Sequence, residues 1–115
     1  MPWQDDRVRL RHMVDHAREA VTLLGSRALA QLEADRVLCL ALVHLVEIVG
    51  EAATRISVGT QSACPHIPWP QITSMRNRLV HGYDSVDLEI LWQTVREDLP
   101  GLITELEDCL QREEC

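Results

Sequence analysis

The chain has 115 residues, 46% of them hydrophobic and 25% charged, with only 5 glycines and 5 prolines. That is enough for one core, too little for two, and too apolar for a disordered or fibrous chain. Aromatic residues are 3% and Phe is absent, so the core is aliphatic, which favours packed helices over a β-sandwich; a net charge of −7 excludes polyanion binding by bulk attraction.

From Asp5 to Leu24, the residues Leu10, Met13, Val14, Ala17, Val21 and Leu24 recur at three and four, which predicts an amphipathic surface helix stopped by Gly25. A second helix is predicted from about Glu33 to Ile56. Its middle, Val37 to Val49, is apolar on nearly every face, so it needs cover all round. A two-fold dimer supplies that cover most simply, and complete wrapping by its own domain is the alternative. His44 and Glu47 interrupt the run, which falls short of the roughly 18 residues of a membrane span. Ser57 to Pro70, with Gly59, Pro65 and Pro68, reads as a loop. A short helix is predicted from Gln71 to Val80, ending near Gly82. Asp87 then caps a helix from Leu88 to Asp98, and Pro100 stands in the first turn of a last one carrying Leu102, Ile103, Leu106 and Leu110. The predicted fold is all-α, an up-and-down bundle of four to five helices in one domain over residues 1–115.

Cys39, Cys64, Cys109 and Cys115 show no Cys-x-x-Cys spacing, and Met-Pro-Trp-Gln-Asp-Asp lacks the features of a secretory signal. Reduced thiols and a cytoplasmic location are therefore expected.

Charge is distributed unevenly. Between Glu51 and Asp84 there is no acidic residue, while Arg55, Arg76 and Arg78 fall in that window, which permits a local anion site. All eleven basic residues are Arg, compatible with bidentate recognition of phosphate or carboxylate, although the bias of a GC-rich genome gives the same count. Within the window lies Met75-Arg-Asn-Arg-Leu-Val-His-Gly-Tyr83. Arg76 and His81 would lie on different faces of a continuous helix and can converge only where the helix is ending; Asn77 and His81 have the i, i+4 spacing at which an amide can orient an imidazole. An imidazole titrating near neutrality can take a proton from a ribose 2′-hydroxyl or give one to a leaving oxygen. A guanidinium can hold charge growing on the phosphoryl oxygens. Tyr83 can stack on a base or donate to phosphate. Such chemistry needs the 2′-hydroxyl, hence RNA, and no metal or other cofactor. Arg-x4-His alone is a weak pattern, and His81 capping helix carbonyls beside surface arginines is the competing structural reading.

Met75 to Trp92, together with Val49-Gly-Glu-Ala-Ala-Thr-Arg55 and Ile67-Pro-Trp69, resembles the HepT toxin subgroup of the HEPN superfamily over nearly the whole chain. The resemblance implies an all-helical homodimer whose two motifs face a shared cleft, acting as a metal-independent ribonuclease in a toxin–antitoxin pair of type II or VII. It places the catalytic Arg and His on Arg76 and His81; Asn77, Arg78 and Glu51 are read, from their positions, as supporting them. It places on Tyr83 the tyrosine to which a partner antitoxin, a nucleotidyltransferase of the MntA type, attaches AMP. Phosphate charge added beside Arg76 and His81 would block an incoming RNA backbone. The alternative is a non-catalytic dimeric module that binds a nucleotidyltransferase or a nucleotide.

Other groups read more plainly. His12 and His16 form an exposed pair without a third metal ligand, and His44 is a hydrogen-bonded core or interface residue. Glu47 and Glu51 border the cleft and orient Arg76, or more simply form an intrahelical ion pair, with Arg55 at the favourable spacing. Cys64 and His66 lack a second pair for zinc. Trp69 and Trp92 are expected as core anchors.

Overall fold

A computed structural model of the chain describes residues 2–81 and 85–113, with the backbone alone for Pro2, Trp3, His81 and Glu113. Its elements are α1 (Pro2–Leu24), α2 (Leu29–Glu33), α3 (Arg36–Thr54), α4 (Val58–Ala63), α5 (Trp69–Thr73), α6 (Met75–Leu79), a two-stranded hairpin of β1 (Val80–His81) and β2 (Ser85–Val86), α7 (Leu88–Gln93) and α8 (Leu99–Glu113). The all-α expectation holds, with the small hairpin as the one departure from it among the described residues.

The stripe predicted for α1 is buried at Leu10, Met13, Val14, Ala17 and Leu24 and partly so at Val21, and Ala20 joins it. Yet α1 is not peripheral. It packs against both α3 and α8 and thus lies between them. Gly25 ends it as expected, at a φ of 57° that an L side chain seldom adopts. The second long helix starts three residues later than predicted, because Asp35 takes the N-cap and its carboxylate accepts from the Leu38 N–H. Gly50 lets α3 approach α5 closely: a Cβ there would stand 3.2 Å from the Ile72 carbonyl oxygen.

The stretch expected as loop contains α4, whose N-cap Ser57 accepts from the Thr60 N–H and is itself held by a residue far away in sequence. Asp6 of α1 is buried and accepts from the Ser57 N–H at 3.0 Å and from the hydroxyls of Ser57 and Thr60. Burial pushes this carboxyl up, but the hydrogen bonds from Ser57 and Thr60, with Arg9 nearby, outweigh it and hold the group below its ordinary 3.8. A folded-state value depressed in this way contributes stability above the unfolded value, lost as pH falls through the folded one. Asp6→Asn should therefore cost about 2 kcal/mol at neutral pH. Thermal melts should show the gap from wild type narrowing below about pH 4, the range of an unfolded Asp. A gap independent of pH would contradict this account.

Two further corrections concern the C-terminal half. The helix predicted from Gln71 to Val80 is divided at Ser74 into α5 and α6 and ends at Leu79, after which the chain turns extended at Val80 (φ −107°, ψ 116°). Asp87 does cap α7, its carboxylate accepting from the Ile90 N–H. The two helices predicted after it are, however, one rod: α7 runs through a π-helical turn (Thr94–Asp98) into α8, with the Leu99 N–H bonded to the Thr94 carbonyl five residues back. Pro100 has no N–H to offer the preceding turn, and a widened turn just before it accommodates that loss.

Reduced thiols do not hold for two of the four cysteines. Cys64, at the end of α4, and Cys109, on α8, form a disulfide between sulfurs sealed from solvent, 45 residues apart in sequence. No spacing motif announces a pair joined only by the packing of α4's end on α8. Trp69 is a core anchor as expected, its Nε1–H donating to the Cys64 carbonyl at 3.1 Å. Trp92 instead sits half-buried at an edge, donating to the Arg27 carbonyl at 3.0 Å with the Arg96 guanidinium over its ring.

A stripe of α3 is uncovered, running beside the shallow groove that Ala41, His44 and Ile48 line with His16, Glu19 and Leu23 of α1. Val37 is 78% and Leu40 54% exposed, and Ala41, His44 and Ile48 continue the stripe at helical spacing, His44 exposed and the other two partly so. Contrary to the shorter run read from sequence, α3 has 19 residues and a mean hydropathy of 1.8, enough by length and composition alone to cross a bilayer. Its packing on α1, α5 and α6 accounts for only one side of that apolarity.

Candidate functional site

A groove of about 460 Å³ opens between α3, the α2–α3 junction and the hairpin. Leu40, Val43, Val80, Val86 and Leu88 form its apolar lining, Arg36 and Arg76 bring guanidinium groups, and Glu33 and Glu47 bring carboxylates. The short α6 carries Arg76 to this groove while burying Met75 and Leu79 in the core, so its exposed turn is fixed from beneath. The Arg76 Nε lies 3.7 Å from a Glu47 carboxylate oxygen. A pair this open to water is weak as a stabiliser, and its effect is directional: it holds the guanidinium against α3.

The next residues carry the chain into β1, where His81 pairs with Ser85 across the hairpin and Val80 with Val86. His81 therefore follows Arg76 on an extended strand, not on a helix end. The i, i+4 relation of Asn77 to His81 has no helix to act through, because α6 stops at Leu79. The side chain of His81 and all of Tyr83 lie outside the described residues.

The other predicted supporting residues separate. Asn77 is exposed on α6. Arg78 lines a different groove, of about 430 Å³, with Ile72, Met75 and Leu102 below and Glu97, Asp98 and Glu105 around it. Glu51 pairs with Arg55 at 3.1 Å, the intrahelical ion pair weighed from spacing, and it is Glu47 that meets Arg76. The window free of acids in sequence is thus not free of them in space, since α3 supplies carboxylates to Arg55 and Arg76 and the α7–α8 rod to Arg78. Sequence reasoning also missed Arg36 and Glu33. Their one signal was Asp35, a good N-cap just before an apolar run, which marks a break and sends the residues on either side to the groove's mouth.

Cys39 lines the same groove, and burial pushes its thiol up, with Arg36 acting weakly in the opposite direction. His12 and His16 stack edge to face at 6.3 Å. His66 faces Asp108 of α8 at 3.7 Å while its neighbour Cys64 is committed to the disulfide. Among the described residues no three His, Cys, Asp or Glu side chains are grouped to hold a metal ion.

Comparison with known proteins bears on this geometry. A family model described as Ribonuclease HepT-like matches residues 13–109. A protein named probable ribonuclease HepT from Thermococcus cleftensis is 42% identical over 62 residues, 54% of this chain and 56% of that protein, so little more than half of that relative is spanned. A putative RNase from Caldanaerobacter subterraneus is 34% identical over 79 residues, 69% of this chain and 70% of its own. A putative RNase from Methanocaldococcus jannaschii is 24% identical over 111 residues, covering 96% of this chain and 92% of that one. No solved structure matches.

Proposed function

The chain belongs to the HepT-like ribonuclease family, and from that membership we propose that it is a ribonuclease toxin that cleaves RNA with Arg76 and His81 in a cleft completed by a second copy. The observation that carries the reading is the delivery of the Arg76 guanidinium to an open groove bordered by the strand pair that holds His81. In the proposed reaction the His81 imidazole takes the proton of a ribose 2′-hydroxyl, and O2′ attacks the adjacent phosphorus. The P–O5′ bond breaks as the leaving oxygen receives a proton from an imidazolium, leaving a 2′,3′-cyclic phosphate and a 5′-hydroxyl. Arg76 carries the charge that accumulates on the phosphoryl oxygens. In a two-fold dimer the second copy's motif supplies an imidazole of its own, so base and acid need not be the same group.

The dimer in this reading forms on α3. Val37 and Leu40 lose water when a second α3 covers them, at about 1.5–3 kcal/mol for each side chain fully buried. Because every substitution acts twice across a two-fold axis, Val37→Asp with Leu40→Asp should weaken dimerisation by about a hundredfold or more. Sedimentation should then find monomers with RNA cleavage reduced in parallel. A double variant still dimeric at micromolar concentration would move the interface elsewhere.

Control in this reading is AMP transfer to Tyr83 by a nucleotidyltransferase antitoxin of the MntA type. A bulky phosphodiester placed two residues from His81 opposes the substrate both electrostatically and sterically. Intact mass of the protein made with the neighbouring gene product tests it: an AMP increment that disappears in Tyr83→Phe supports the assignment, and an unmodified mass counts against it. The non-catalytic alternative is separated by co-expression, since a binding module keeps its effect on cells when Arg76 or His81 is changed and an enzyme loses it.

A further inference from the structure

We infer that Arg36 is the far end of a substrate track: a single-stranded RNA bound at Arg76 continues along α3 and delivers a second phosphate to the Arg36 guanidinium. This rests on the ribonuclease reading above and extends it to residues outside the motif. Arg36 and Arg76, 40 positions apart in sequence, line one groove whose intervening wall is apolar, with Val43, Val86 and Leu88, side chains that the dimer face on α3 leaves unused. Cations at both ends hold phosphates, and the aliphatic surface between them takes base faces by burial where single-strand channels commonly stack them on aromatic rings.

Arg36 is exposed, and among the described residues no group hydrogen-bonds or ion-pairs with it. Arg76 already leans on Glu47, and the eleven residues from Arg36 to Glu47 set the two ends about 16 Å apart along the helix. That distance asks for a short run of nucleotides, so the contact at Arg36 is made by an oligonucleotide and not by a dinucleotide. Glu33 lines the same mouth and opposes a phosphate there, which gives the proposal a residue of opposite sign.

The test uses the full chain and a single-stranded hexanucleotide with deoxyribose at every position, which binds without being cut, with the matching dinucleotide beside it. Arg36→Gln should weaken hexanucleotide binding about fivefold, as expected for the loss of one phosphate contact. The salt dependence should fall by about 0.7 in log–log slope. Glu33→Gln should tighten the hexanucleotide, and the preference for hexanucleotide over dinucleotide should shrink in Arg36→Gln. Wild-type affinity and salt slope in Arg36→Gln, or no binding of the hexanucleotide by any form, overturns the track. The two readings fail separately. RNA cleavage with Arg36-independent binding removes only the track, whereas Arg36-dependent binding with no RNA cleavage by the wild type removes only the nuclease.

Discussion

Replacing His81 by Ala is expected to lower RNA cleavage by about a thousandfold or more while leaving the thermal midpoint within a few degrees of wild type, and the wild-type rate is expected to persist in EDTA. Positioned proton transfer contributes roughly 10² to 10⁴ in rate. In a cleft with two copies of the imidazole, both the base and the acid are lost at once. His81 stands on a two-residue strand of a largely helical chain, so its truncation should leave the helices in place. Arg76→Lys is the informative companion. An ammonium keeps the charge but not the planar fork that grips two phosphoryl oxygens, and about a hundredfold loss is expected. If His81→Ala retains nuclease activity in the same preparation, the catalytic assignment fails. Activity that vanishes in EDTA and returns with added metal would replace the 2′-hydroxyl mechanism by another.

Removing the Cys64–Cys109 bond should lower the thermal midpoint by about 15 °C. The bond closes a loop of 45 residues, for which the chain-entropy estimate is about 4 kcal/mol; a domain of this size loses about 4 °C per kcal/mol. The paired change Cys64→Ala with Cys109→Ala is the appropriate variant, because both sulfurs are sealed from solvent and a reductant would reach them only after unfolding. The effect should extend to the site. Cys64 also offers its carbonyl to Trp69, the first residue of α5, and α5 leads directly into the turn that carries Arg76. Unchanged melting in the double variant, together with an intact mass two hydrogens heavier in the wild type than the oxidised chain requires, would show that the thiols are free in solution.

Parts of this molecule were legible without coordinates, and the reason is locality. The stripe of Leu10, Met13, Ala17 and Leu24 specifies α1 because side chains three and four apart share a helix face, and Gly25 and Asp87 act on the helix end beside them. The exposed apolar face of α3 was foreseeable too, since a helix apolar on every side cannot be covered by the few elements of a short chain. Residue identity around Arg76, His81 and Tyr83 narrowed the chemistry without deciding it, because Arg-x4-His recurs by chance and it was the longer run from Met75 to Trp92 that carried the resemblance.

What tertiary structure decided are relations between distant residues, for which a sequence holds no period. Asp6 holds Ser57, the N-cap of α4, from 51 positions away, a tie that no local pattern announces. Cys64 found Cys109 only because α4's end packs on α8. Helical spacing offered Glu47 and Glu51 alike to orient Arg76, and only the packing of α6 on α3 chose Glu47; nothing in the acid-free stretch hinted that Arg78 would turn to a second groove with three carboxylates. Even the relation of Asn77 to His81 changed, since it depended on a helix continuing past Leu79 and the extended backbone of Val80 ended it. Periodicity reports which side of an element faces inward; only the packed elements determine which side chains then meet.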